Sequence, residues 1–393
     1  MSTHQETLEH LVIGGGPAGS MAAYLLVEAG EPVTLLEKER GAHHKVCGEF
    51  LSREANDYLH RIGVSPEELG AAPIRIVRLS SGARTAEAAL PFPALSLSRM
   101  VLDEALLARA AATGCDVRRG RCVERLTHEG GAWTAQLSDG ETVHARTVFL
   151  ATGKHDLHGW ARAKGRQGDL IGFKLHWRLA PSQTSALRGC MELFLFPGGY
   201  GGLSLVERDH ANLCLVVRRS ALRSAGGWDA LLAAILAGNK RMRDFLERAE
   251  TLWPRPLAIS PIPYGYLAPE PRGLWRLGDQ AAVIPSFTGD GMSIALHSAA
   301  LATGMYLEGK SVDAYNRALH DQLRKSMTLA TRLSQAAVTD FGRRAAPAIL
   351  SFAPGSMAWI AAATRVPRRA LLVQVVAEKG KWGVDLRRTA RRG

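Results

Sequence analysis

The chain is poor in cysteine: five in 393 residues, at positions 47, 115, 122, 190 and 214. An odd count with no Cys-x-x-Cys pair excludes a disulfide scaffold and a zinc module of the usual spacing, and it fits a reducing, cytoplasmic setting. Aromatic residues make up only 6 %. No uninterrupted apolar run reaches the roughly 20 residues that a membrane-spanning helix needs. The stretch Met1 to His10 is polar and acidic, unlike a secretory signal. No repeat or low-complexity tract is present. Acidic residues are in deficit, 37 against 49 Lys and Arg, but the deficit is local. From Phe341 onward eleven Lys and Arg face two acids, and the first 340 residues are close to balanced. The basic residues are not interleaved with stacking aromatics, which argues against a nucleic-acid partner. Glycine is abundant, at 40 residues, and in a globular chain that marks close approaches of backbone to a ligand.

The first informative stretch is near the N-terminus. Residues 9–13 read as a short strand running into Gly14-Gly15-Gly16-Pro17-Ala18-Gly19, a GxGxxG pattern at Gly14, Gly16 and Gly19. Ser20 to Ala29 reads as a helix ended by Gly30, and residues 32–36 as a second buried strand ending at Glu37 and Lys38. Glu37 follows Gly16 by 21 residues, the separation of a dinucleotide fingerprint. Gly14 permits the tight turn and Gly16 lets a pyrophosphate reach the helix N-terminus, whose free N–H groups and dipole favour an anion. Gly19 allows close helix–strand packing. Glu37 can accept both ribose hydroxyls of an adenosine, and an acid there favours an unphosphorylated ribose, as in FAD or NAD.

A second stretch selects between them. Residues 274–277 read as a strand running into Gly278-Asp279-Gln280, then Pro285, then Gly289-Asp290-Gly291-Met292 and an apolar helix to about Leu307. This resembles the second FAD motif of the p-hydroxybenzoate hydroxylase-like flavoproteins, which include the geranylgeranyl reductases. The resemblance implies that Asp279 binds the ribityl chain of FAD and that Gly289, Gly291 and Met292 set backbone N–H groups against the flavin. A helix N-terminus there stabilises the negative charge of the reduced ring. Leu97-Ser98-Arg99-Met100-Val101-Leu102-Asp103 is similar to the family's Arg-x-x-Leu-Asp helix start, which implies Arg99 near the phosphates. Gly114 to Val123 looks like the strand pair on the adenine side, and Pro197-Gly198-Gly199-Tyr200-Gly201 is similar to a substrate-side segment of the geranylgeranyl reductases. The resemblance covers residues 8 to about 325.

Lys45-Val46-Cys47-Gly48-Glu49 resembles the Lys-x-Cys-Gly-Gly loop of the same subgroup, with Glu49 in place of the last glycine. It implies that Cys47 lies close to the flavin. Cys47 and His44 are the candidate proton donors, and Lys45 beside the thiol would favour a reactive form. Two features depart from the hydroxylases. The strand 146–150 runs into Ala151-Thr152-Gly153 instead of their Asp-Gly turn, which keeps the FAD-side role of Gly153 and removes the NADPH-side motif. Lys154, His155, Arg162 and Arg166 are then either a basic surface loop or a site for a pyridine-nucleotide phosphate. There is no second GxGxxG, so NADPH or NADH visits transiently or a protein donates electrons. No Trp-x-Trp-x-Ile-Pro stretch is present, which weighs against a tryptophan-halogenase-type enzyme.

The expected fold class is α/β: a discontinuous Rossmann-like FAD-binding domain (1–75, 97–168 and 258–325), an antiparallel-sheet substrate domain (76–96 and 169–257) and a helical basic C-terminal region (326–393). Helices are expected over 328–344, 346–365 and 366–378. Alternation along 172–177 and 213–217 suggests the sheet. Phe173, Trp177, Phe194, Phe196 and Tyr200 are the expected lining of a hydrophobic pocket. The C-terminal pattern favours helices packed over that pocket with Arg facing water. The alternative is an amphipathic tail lying on an anionic membrane. The sequence thus predicts a cytoplasmic FAD-dependent oxidoreductase without a metal. Monooxygenation of a hydrophobic molecule such as an aromatic polyketide ranks first. Reduction of a carbon–carbon double bond in an isoprenoid-like substrate is the close rival, and a flavin electron carrier the third reading. Cofactor contacts are expected from Gly14, Gly16, Ala18, Gly19, Glu37, Lys38, Cys47, Arg99, Val123, Gly153, Asp279, Pro285, Gly289, Gly291 and Met292.

Overall fold

The computed structural model describes residues 7–269, 271–353 and 355–371. Two sheets organise the chain. In the first, Asp116–Arg119, Val33–Glu37, Thr7–Ile13 and Thr142–Leu150 lie side by side and parallel, and Trp275–Arg276 adds parallel to Thr142–Leu150. The far edge continues antiparallel through Ala132–Leu137 to Val123–Glu129. Val33–Glu37 is buried at every position, as expected of a parallel strand covered on both faces. The helices Pro17–Glu28, Arg99–Thr113 and Gly291–Leu307 cover one face. Ser98 starts the second of these, its hydroxyl accepting the Val101 N–H at 3.3 Å.

The expected strand pair over 114–123 is not a pair. Asp116–Arg119 joins Val33–Glu37 at one edge of the sheet, and Val123–Glu129 lies at the other. The chain crosses between them after Gly120, whose φ of +70° turns it out of the strand.

The second sheet is nine-stranded and unites segments far apart in sequence. Its main order is Glu250–Thr251, Leu170–Arg178, Ala211–Arg218, Gly199–Leu205, Gly189–Phe196, Ala72–Ser81, Arg84–Ser96 and Phe50–Leu51. Leu257–Ile259 also pairs with Leu170–Arg178. All pairings are antiparallel except Gly189–Phe196 with Ala72–Ser81. Both faces of this sheet are buried. One packs on residues from the short helices over 219–246, and the other on the C-terminal helices and on Ile262, Tyr264 and Tyr266.

The C-terminal region is helical over Val312–Ala337, Asp340–Phe352 and Gly355–Ala363. The helix expected over 328–344 is therefore broken. Thr339 caps a new helix, its hydroxyl accepting the Gly342 N–H at 3.0 Å. Of the helix expected over 366–378, only the short turn Arg368–Ala370 is seen after Pro367, and positions 372–378 lie outside the described residues.

Candidate functional site

One cavity of about 630 Å³ runs from the glycine loop of the first sheet to the C-terminal helices. At its first end the glycines act as the spacing implies. Gly14 has φ +105°, and a Cβ there would sit 2.5 Å from the Ala151 carbonyl oxygen. A Cβ on Gly19 would come within 1.8 Å of the Gly14 oxygen, so Gly19 is a packing residue and does not border the cavity. Gly16 and Ala18 do border it. The Arg99 guanidinium lies over Gly16, 3.3 Å from where a Cβ would stand. The helix Pro17–Glu28 begins without a side-chain cap, which leaves its first N–H groups for an anion. Glu37 is buried at the loop, its carboxylate accepting the N–H groups of Gly15 at 2.6 Å and Glu39 at 3.0 Å. Lys38 borders the cavity but pairs with Glu39 at 3.6 Å in a partly exposed position. Val123 and Gly153 border the same end.

Asp279, Gly289, Gly291 and Met292 form the facing wall, and Pro285 stays behind it. Lys154 lies 3.0 Å from the Asp279 carboxylate, and Arg162 donates to the Asp279 carbonyl at 3.0 Å. Burial pushes the Asp279 carboxyl up, but Lys154 and Arg162 outweigh it and hold it below the usual range. These two cations are therefore tied into this wall and do not form an open basic loop; Arg162 also pairs with Asp156 at 2.6 Å. Gly289 has φ +70° and turns the chain into Gly291–Leu307, which Asp290 starts without a side-chain cap. The Asp290 carboxylate points instead to Arg365, 3.3 Å away, and accepts the Val366 N–H at 3.0 Å. Burial dominates there and raises its pKa to about 7 despite Arg365.

Cys47 lies between the two ends, half-buried and on the cavity wall. Its Sγ accepts the Glu49 N–H at 3.3 Å, and its carbonyl accepts from Asn212 at 3.2 Å. Lys45 does not serve the thiol, because its ammonium sits 3.1 Å from Asp103. Glu49, which replaces the last glycine of the loop, organises its surroundings. Its φ is +58°, in the left-handed region where the subgroup's loop has glycine, a conformation that costs a non-glycine residue roughly 1–2 kcal/mol. Its carboxylate is fully buried and fully bonded. One oxygen accepts from Lys174 and from the Arg99 N–H at 2.8 Å, and the other meets His176 Nε2 at 3.0 Å. Burial alone would raise the Glu49 pKa, but Lys174 and His176 hold it low. His44 stacks edge-on to His176 with ring centroids 4.7 Å apart. Burial, then Lys174 and His176, lower its pKa to about 4. His44 is thus uncharged near neutral pH, which makes it a poor general acid. His44, Glu49 and His176 bring ligand-type atoms within 4.8 Å of one another, but the Lys174 ammonium already neutralises the carboxylate.

The aromatic lining is corrected by the strand period. Along Leu170–Arg178, Gly172 faces the cavity and Lys174 and His176 reach Glu49 on that side. Phe173 and Trp177 therefore point to the opposite face. There they join Phe194 and Phe196 in the core under the short helices, with Phe173 4.8 Å from the Trp228 ring. Of the five expected lining residues only Tyr200 borders the cavity. The apolar end is lined instead by Met191, Leu193, Val216, Ile262, Met357 and Ile360. Position alone did not mark these residues in the sequence. For Lys174 and His176 a signal existed: two polar residues alternating with Phe173, Leu175 and Trp177 on a strand buried on both sides.

Residues 7–157 match the family described as FAD binding domain. The menaquinone reductase of Mycolicibacterium smegmatis is 27 % identical over 350 residues, 82 % of this chain and 83 % of that protein. Digeranylgeranylglycerophospholipid reductase 1 of Methanopyrus kandleri is 34 % identical over 36 % of this chain and 39 % of its own. Among solved structures, the myxobacterial chondrochloren halogenase CndH superposes with a TM-score of 0.72 at 18 % identity, covering 93 % of this chain and 95 % of its own. That likeness carries the fold. The uncapped helix, the glycine cradle under Arg99 and the Asp279 wall fit FAD as the cofactor. Residues 7–157 are an FAD binding domain, and the chain is an FAD-dependent oxidoreductase similar to these proteins.

Proposed function

We propose that the enzyme saturates a carbon–carbon double bond in a long apolar substrate, an isoprenoid chain of the kind a quinone carries. The observation that carries this reading is the Cys47 thiol, presented to the cavity by a loop that Glu49 and Asn212 hold in place. Reduction of an alkene needs a proton beside the site of hydride addition, and a positioned donor typically contributes 10²–10⁴-fold. Bound and reduced, FAD supplies the hydride chemistry, with NADPH, NADH or a reduced electron-donor protein as the source of electrons. In this reading Cys47 gives its proton to the second alkene carbon and regains one from solvent. The seven-stranded sheet and its helices form the cofactor side, and the nine-stranded sheet with the C-terminal helices forms the substrate side. The apolar end, between Met191, Leu193 and Ile360, suits a hydrocarbon chain. Similarity over more than four-fifths of both chains to a menaquinone reductase supports the same choice. Monooxygenation, ranked first from the sequence, needs no thiol at this position. The test is product analysis with a polyprenyl quinone. A gain of two hydrogens supports reduction, and an oxygen-containing product that forms only in air would return the assignment to monooxygenation.

A further inference from the structure

Among the described residues, the large apolar side chains left exposed are Phe341, Ile349, Phe352 and Trp359, at 84, 56, 92 and 61 %. All four lie on the last two helices. Asp340–Phe352 and the segment after it meet at an angle of 114°. No single helix among the described residues is long and apolar enough to cross a membrane.

The helix Gly355–Ala363 is two-sided in an unusual way. Met357, Ile360, Ala361 and, just beyond it, Thr364 fall at i, i+3, i+4 and i+7 and border the cavity. The opposite side should be polar if it met water. Instead it carries Trp359 and Ala362, and the helix holds no charged residue. A helix apolar all round belongs in an apolar surrounding on both sides. The charge around it selects which one. Beyond Asp340, which pairs with Arg343 at 3.2 Å, there is no Asp or Glu as far as Leu371, and Arg344, Arg368 and Arg369 are exposed. A second copy docking through the same patch would set these cations against themselves, because a twofold contact pairs like with like. An anionic lipid surface would complement them. Trp favours the interfacial depth of a bilayer.

We infer that this helix pair is a membrane-surface dock for anionic lipid bilayers, with Gly355–Ala363 as the wall shared between lipid and cavity. The protein lies on one leaflet, and a lipid-dissolved substrate enters beside that wall. The docking stands on the surface alone, whereas the entry route rests on the lipophilic-substrate reading above.

The experiment is flotation of the full-length holoenzyme with phosphatidylcholine vesicles, with and without phosphatidylglycerol, next to the triple variant Phe341→Ser, Phe352→Ser, Trp359→Ser. None of the three residues borders the cavity. The expected result is flotation with the anionic vesicles only, weakened by high salt and reduced at least about tenfold in the variant. The variant's flavin spectrum and thermal midpoint should match the wild type, which excludes misfolding. Its turnover should fall with vesicle-embedded quinone and persist with detergent-dispersed quinone. Absence of vesicle binding, or binding unchanged in the variant, overturns the dock. A concentration-dependent dimer that the variant abolishes, without vesicle binding, also overturns it in favour of self-association. If no quinone is reduced in either form but vesicle binding follows the variant, the dock holds and the substrate reading fails.

Discussion

Glu49 lines the cavity and Asp290 sits behind its wall; both carboxylates are fully buried, and the protein treats them in opposite ways. Glu49 receives an ammonium, an imidazole and a backbone N–H, and stays ionised below the usual carboxylate range. Asp290 receives one guanidinium at 3.3 Å, the Ser293 side chain and one backbone N–H, and burial with the nearby Glu54 wins, lifting it to about 7. Equal burial therefore does not give equal behaviour; the closeness of the cations and the like charge of Glu54 beside Asp290 decide. Glu49 is a permanent anchor for the loop that carries Cys47. Asp290 is a titrating latch between the start of Gly291–Leu307 and the segment that follows the C-terminal helix pair.

The linkage signs are opposite too. The folded-state pKa of Glu49 is depressed, so its contribution is present above about pH 4.5 and is lost as pH falls. That of Asp290 is raised, so its contribution is full below about pH 4 and is lost as pH rises through about 7.

The largest effect is expected at Glu49. Glu49→Ala strands Lys174 in the interior without its partner, and chemical denaturation should show a loss of about 3–5 kcal/mol at every pH near neutrality. Arg365→Ala is the counterpart. At about pH 8.5 it should cost roughly 3 kcal/mol and raise hydrogen exchange in 340–366, whereas at about pH 6 Asp290 takes up a proton and most of that cost disappears. Asp290→Asn sharpens the contrast without removing volume. It should abolish a wild-type slope of at most about 1.4 kcal/mol per pH unit between about pH 4 and 7, read from thermal or urea unfolding. The smallest effect is expected at His44. Because it is already uncharged, His44→Asn should change the turnover by less than about tenfold and leave the pH profile near neutrality in place.

Much of the cofactor side was readable because its determinants are local. Gly14, Gly16, Gly19 and Glu37 fall within one strand–helix–strand unit, and Asp279, Gly289 and Gly291 within one turn. The Glu49 cluster was not readable, because it joins residue 49 to residues 174 and 176 of a distant strand and depends on the sheet's register. The pocket aromatics failed for a related reason. Apolar residues identify a buried face, but this sheet is buried on both, and period 2 alone does not say which face holds the cavity. Phe173 and Trp177 took the core face while Lys174 and His176 took the side of the site. For Arg365 the sequence offered only a basic tail. Its partner Asp290 is 75 residues away.

In the proposed reaction Cys47 supplies the proton for alkene reduction. The most direct measurement is anaerobic turnover of a polyprenyl quinone in deuterated water, by the wild type and by Cys47→Ser with FAD still bound. The expected result is a saturated product whose second alkene carbon carries solvent deuterium and a rate that falls about 100-fold or more in the variant. An unchanged rate in Cys47→Ser, or an oxygenated product formed only in air, would contradict it.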